Sequence, residues 1–108
     1  MSRKKGDIAE AKVAVYLKKR GFTILEHNFN TKVGEIDLIA KKLDVIHFIE
    51  VKSGSTFEPI YNITALKLSK IIKTAQIYLK KHKVDSPYCI DACTVKDKEI
   101  THLENITL

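Results

Sequence analysis

Two runs rich in Ile, Val and Phe, Glu35–Lys41 and Val45–Lys52, are separated only by Lys42-Leu43-Asp44. A link that short joins two strands as an antiparallel hairpin, because parallel neighbours need a crossover of a dozen or more residues. Extended residues alternate between faces, so Glu35, Asp37 and Ile39 share one side and Ile36, Leu38 and Ala40 the other. In the next strand Ile46, Phe48, Glu50 and Lys52 share a side. A turn at Leu43-Asp44 sets Asp37 directly opposite Glu50; Leu-Asp is not a favoured pair for such a turn, so a slipped register is the alternative. Two carboxylates facing each other on a β-ribbon destabilise it unless a cation lies between them. Lys52 is one candidate. A hard divalent metal, which takes oxygen ligands, is the other.

The rest of the chain places this hairpin inside a larger sheet. Residues 7–20 read as a helix with an acidic first turn and a basic last turn, stopped by Gly21. Residues 22–29 read as a strand and 31–34 as a turn. A loop over 53–59 leads to a second helix at 64–83, which ends before Pro87. Strands at 88–95 and 100–103 flank the charged turn Lys96-Asp97-Lys98-Glu99. The order α-β-β-β-α-β-β predicts one α/β domain with a central mixed sheet flanked by helices. At 108 residues, 44% of them hydrophobic and 30% charged, the chain can build such a core without disulfide staples.

Both helices are two-sided. Leu68, Ile71, Ile72, Ala75, Tyr78 and Leu79 fall in one arc of the second helix, and Lys67, Lys70, Lys73, Lys80 and Lys81 in the opposite arc. No acid lies between Lys67 and Lys83. An all-Lys stripe forgoes the i,i+4 pairs that solvated faces usually carry, which fits a surface that meets phosphates as well as one that keeps the chain soluble. The net charge of +6, with Lys4 and Lys5 in a basic opening run, also favours a polyanionic partner. On the first helix, Glu10 shares a core-directed face with Val13, Ala14 and Leu17. A carboxylate at the edge of an interior needs a cation, a hydrogen-bond cage or a metal.

Together these residues suit phosphodiester hydrolysis. Asp37 and Glu50 would hold Mg²⁺ or Mn²⁺ with the Val51 carbonyl contributing, Lys52 would orient the attacking water or stabilise the developing charge, and Glu10 would complete the outer shell. The competing reading is a solvated hairpin face with a cross-strand Glu-Lys pair.

Gly34-Glu35-Ile36-Asp37-Leu38-Ile39-Ala40 followed by Phe48-Ile49-Glu50-Val51-Lys52 resembles the GEIDLIA and FVEVK blocks of the bacterial YraN family. That family is similar in fold to archaeal Holliday-junction resolvases and other PD-(D/E)xK nucleases. Gly6, Glu10, Ala11, Tyr16-Leu17, Gly21-Phe22 and Asn28 in the first half, and Lys67, Ala75, Tyr78-Leu79 and Asp91 in the second, extend the likeness along essentially the whole chain. The resemblance implies a restriction-endonuclease-like domain over residues 1–108, with Asp37 and Glu50 as metal ligands, Lys52 as catalytic lysine and Glu10 as the assisting helix carboxylate. It also implies branched or structured DNA as substrate and a homodimer; Lys4, Lys5, Lys67, Lys70 and Lys73, the basic residues read from charge and helical spacing, would then meet the DNA. The chain departs from the family pattern at Ser53-Gly54, where a basic residue is usual, and at Cys89-Ile90-Asp91, where Arg-Phe-Asp is usual. A non-catalytic DNA-binding adaptor that kept the fold is the alternative. Leu66 and Ile77, beside the Lys arc, are candidates for a dimer contact.

Other chemistries find no support. Neither a phosphate-binding glycine loop nor a C-x-x-C pair is present, and His27, His47, His82 and His102 show no metal-ligand spacing and read as incidental. Cys89 and Cys93, four apart on a strand and so about 13 Å from each other, read as free thiols of a cytoplasmic core. No run of 18 apolar residues spans a bilayer.

Overall fold

The computed structural model describes residues 4–54 and 63–107. Its elements are α1 (Lys4–Lys19), β1 (Thr23–Asn30), β2 (Glu35–Lys42), β3 (Val45–Gly54), α2 (Ala65–Lys81), β4 (Tyr88–Lys96) and β5 (Glu99–Leu103). The α-β-β-β-α-β-β order agrees with the sequence reading. One five-stranded sheet runs β1-β2-β3-β4-β5 in space. Its pairs are antiparallel except β3–β4, which is parallel because α2 supplies the crossover. β3 runs past the expected end at Lys52 because the β4 ladder continues to Gly54↔Lys96. The expected loop at 53–59 therefore begins as strand, and its remainder lies outside the described residues.

The helices cover opposite faces. Ala9, Val13 and Leu17 of α1 pack with Leu38, Ala40, Ile49, Cys93 and Val95. Ile71, Ala75 and Tyr78 of α2 pack with Ile39, Ile46, Phe48 and Ile90. Both apolar arcs therefore point where the 3.6-residue period puts them, and Glu10 lies buried on the α1 side. Thr64 caps α2, its side chain accepting from the Lys67 N–H, so the helix starts one residue after the predicted boundary. Ile36 departs from the alternation. The β2–β3 ladder ends at Leu38↔Ile49, and beyond it Ile36 follows its β1 partner Phe29 into the α2 cluster.

The hairpin turn falls at Leu43-Asp44, between the paired residues Lys42 and Val45, with φ of 49° and 66°. Positive φ at both positions is the two-residue turn that matches strand twist, for which Asn-Gly is preferred. Leu43, 87% exposed, gains nothing from burial in return. The double change Leu43→Asn/Asp44→Gly should therefore stabilise the protein by about 1 kcal/mol, read as a higher urea midpoint with an unchanged m-value. Gly34, at the start of β2, lies against α2: a Cβ there would come 3.1 Å from Thr74 Oγ1 and 3.5 Å from Lys70 Cβ. That close approach seats the second and third turns of α2 against the start of β2, and the first turn, with Lys67, reaches the carboxylate end of the hairpin.

Candidate functional site

Continuing the hairpin register one step past Leu38↔Ile49 brings Asp37 to Glu50, so the register anticipated from the turn is the one adopted. Because regular pairing stops there, the Val51 N–H is satisfied by a side chain, donating to Asp37 Oδ2 at 2.8 Å. Val51 thus meets Asp37 through its amide, whereas the expected metal contact uses its carbonyl. Asp37 and Glu50 line an open pocket of about 530 Å³ together with Glu10, Lys52, Lys67 and Lys70.

The electrostatics follow from this crowding. Glu10 and Glu50 are only 7% and 4% exposed. Burial, the neighbouring Glu50 charge, a hydrogen bond with Glu50 and the more distant Glu10 push the Asp37 carboxyl up to about 8, against the opposing Val51 N–H. Glu50 Oε2 lies 2.7 Å from Lys67 Nζ and 3.8 Å from Lys52 Nζ. Burial and the adjoining Lys67 ammonium lower the Lys52 pKa, against the pull of Glu50 and Asp37. For Lys67, burial is outweighed by its hydrogen bond and charge contact with Glu50, and its pKa rises.

Most of the sequence-predicted residues therefore meet. Glu10, Asp37, Glu50, Val51 and Lys52 surround one pocket. Lys67, expected on the outer stripe, instead turns inward to Glu50, because it sits on the first turn of α2 at the pocket wall. Lys70 is exposed at the pocket rim, and Lys73 is exposed further along α2. Lys4 and Lys5 open α1, and their side chains lie outside the described residues.

A second cluster escaped the sequence reading. His47, Asp91 and His102, with Cys89 beside them, come together on the α1 face. Strand register explains it: His47 is paired with Cys89 across β3–β4, Asp91 is two residues along the same face, and His102 pairs with Cys93 across β4–β5. Two of the four histidines are therefore not incidental. Cys89 and Cys93 are free, as expected, and burial pushes both thiols up to about 12. Among the described residues, no helix is long and apolar enough to cross a membrane.

Fold and pocket together define the class: an α/β protein whose mixed sheet carries a carboxylate–lysine cluster at the ends of β2 and β3. The sequence profile of the uncharacterised protein family UPF0102 matches residues 9–95. A UPF0102 protein of Wolinella succinogenes is 55% identical over 108 residues, covering all of both chains. One from Helicobacter hepaticus is 53% identical over 107 residues, covering 99% of this chain and 97% of the relative. A third, from Sulfurimonas denitrificans, is 49% identical over 109 residues and the full length of both. The chain belongs to the UPF0102 family.

Proposed function

We propose that this protein is a metal-dependent endonuclease of the PD-(D/E)xK class, hydrolysing phosphodiester bonds in branched or structured DNA. The observation that carries the reading is the convergence of Asp37, Glu50 and Lys52 on one pocket walled by the lysines of α2. The donor set fits a hard cation: carboxylate oxygens are what Mg²⁺ and Mn²⁺ take, and a carboxyl forced up to about 8 by its neighbours gains by sharing a divalent charge. Asp37 and Glu50 would hold the ion, with Glu10 supporting from α1. Bound there, it would polarise the scissile phosphate and acidify an attacking water.

The protein's own groups supply the rest. Lys52, with its lowered pKa, is suited to exchange a proton with that water or to neutralise charge developing on phosphorus. Lys67, paired with Glu50 at 2.7 Å, would be free to meet a phosphate oxygen once Glu50 held the ion. Lys70 and Lys73 extend the same basic edge along α2, where sequence-independent contacts position a duplex. A two-fold dimer suits a two-fold junction, and exposed Leu66 and Ile77 on α2 supply apolar surface for a homodimer. A cytoplasmic location belongs to the same reading.

End-labelled four-way-junction, flap and linear DNA, incubated with the protein in Mg²⁺, Mn²⁺ or EDTA, tests this directly. Wild type should give metal-dependent products, and Glu50→Ala should lose about 10³-fold or more of the rate while still shifting DNA. If neither protein cuts and both bind equally in EDTA, the fold serves as a DNA-binding adaptor.

A further inference from the structure

We propose that His47, Asp91, His102 and Cys89 form a second metal site, of the kind that holds a zinc-type transition ion, separate from the carboxylate pocket and independent of the nuclease reading. His47 Nδ1 and His102 Nε2 lie 2.6 Å and 2.7 Å from the same oxygen, Asp91 Oδ2. One ligand atom from each of the three residues falls within 4.8 Å of the others. Cys89 Sγ adds a fourth, 3.3 Å from His47 Nδ1 and 3.2 Å from Asp91 Oδ1. Two imidazoles, a thiol and a carboxylate are the donor types that zinc collects.

Two features make the cluster a compact ligand set. Asp91 is fully buried, and its oxygens face only donors: His47, His102, the Cys89 thiol and the Asn105 N–H at 3.0 Å. His47 Nδ1 and Cys89 Sγ both reach Asp91 and also lie 3.3 Å from each other, so ligand atoms of three residues converge on one point. A nucleophilic Cys-His-Asp relay is excluded by the same geometry, since cysteine and aspartate meet one ring nitrogen and a relay needs opposite ones.

Zinc bonds of about 2.0–2.3 Å in tetrahedral array separate ligand atoms by roughly 3.3–3.6 Å. The cluster thus opens by less than about 1 Å to accept the ion. On binding, Cys89 gives its proton to the buffer, and each imidazole keeps one proton on its other nitrogen. The surroundings are those of a built site. The Asn105 amide orients Asp91, and the Phe22 ring stands edge-on to His47 and His102 at 5.0 Å and 5.6 Å between centroids. An open pocket of about 490 Å³, lined by Arg20, Lys42 and Asn105 among others, reaches His47, Cys89 and His102 and provides the way in.

The test uses the full chain, stripped with chelator and titrated with Zn²⁺ by calorimetry and with Co²⁺ by absorbance. Expected are one ion per chain in this site, tetrahedral Co²⁺ bands, and a thiolate-to-cobalt charge-transfer band that Cys89→Ser removes. His102→Ala should weaken binding at least about 10-fold, with circular dichroism confirming that it is folded. The double variant Asp37→Asn/Glu50→Gln should keep the Co²⁺ spectrum intact. Absence of tetrahedral bands in folded wild type overturns the proposal, as does their loss in the carboxylate-pocket variant.

Discussion

Asp37→Asn is expected to abolish Mg²⁺-dependent cleavage and, in EDTA at pH 8, to leave the protein more stable than wild type. The two effects share one cause. Asp37 sits among Glu50 and Glu10 in a mostly buried setting that raises its pKa to about 8. In the unfolded chain the same group titrates near 4. Between those values the folded protein holds a proton that the unfolded chain has released, so stability falls as pH rises from about 4 to about 8 and then levels off. Asn carries no charge and keeps an oxygen to accept from the Val51 N–H, whose bond to Asp37 is 2.8 Å. Its advantage should therefore be absent below pH 4 and grow to roughly 5 kcal/mol by pH 8, at about 1.4 kcal/mol per pH unit between the two pKa values. Denaturation of both proteins across that range, with the cleavage assay alongside, measures both sides of the exchange. A variant that is less stable at pH 8 would remove the electrostatic account of the pocket.

Replacing Asp91 should have the opposite character. Its carboxylate is the hub for His47, His102, Cys89 and the Asn105 N–H, and all of these lose their acceptor in Asp91→Ala. Removing one partner from a buried charged network costs about 3–5 kcal/mol, a large share of the stability of a domain this size. Burial by itself would raise the Asp91 pKa; hydrogen bonds from His102, His47, Asn105 and Cys89 reverse that and hold it well below the usual carboxylate range. A depressed pKa contributes stability above about pH 4 that is lost as pH falls further. Metal-free wild type should therefore soften below pH 4, while Asp91→Ala, already weakened, should show a flatter acid limb. Thermal melts from pH 2.5 to 7 distinguish the two profiles.

The carboxylate pocket was legible because its parts obey local periodicities. Asp37 and Glu50 lie on one hairpin, where turn position alone sets which residues face each other, and the turn did form at Leu43-Asp44 despite positive φ at an exposed leucine. Glu10 follows from helical spacing with Val13, Ala14 and Leu17, all buried on α1. The place of Lys67 on α2 is legible in the sequence, but its turn toward Glu50 is not, because a helical arc does not say which end of the sheet the first turn overhangs. The packing of α2 against Gly34 and the Lys67–Glu50 contact decide that.

Residues close in sequence thus determined the elements, their order, the two amphipathic helices and the paired carboxylates, since hairpin register and helix facing depend on local geometry. The His47–Cys89–Asp91–His102 cluster was decided only by tertiary structure. Its members come from β3, β4 and β5, and they meet through a parallel pairing across the α2 crossover and a second hairpin. Parallel register is set by how the crossover helix packs on the sheet, a long-range choice that no spacing between histidines in the chain can record.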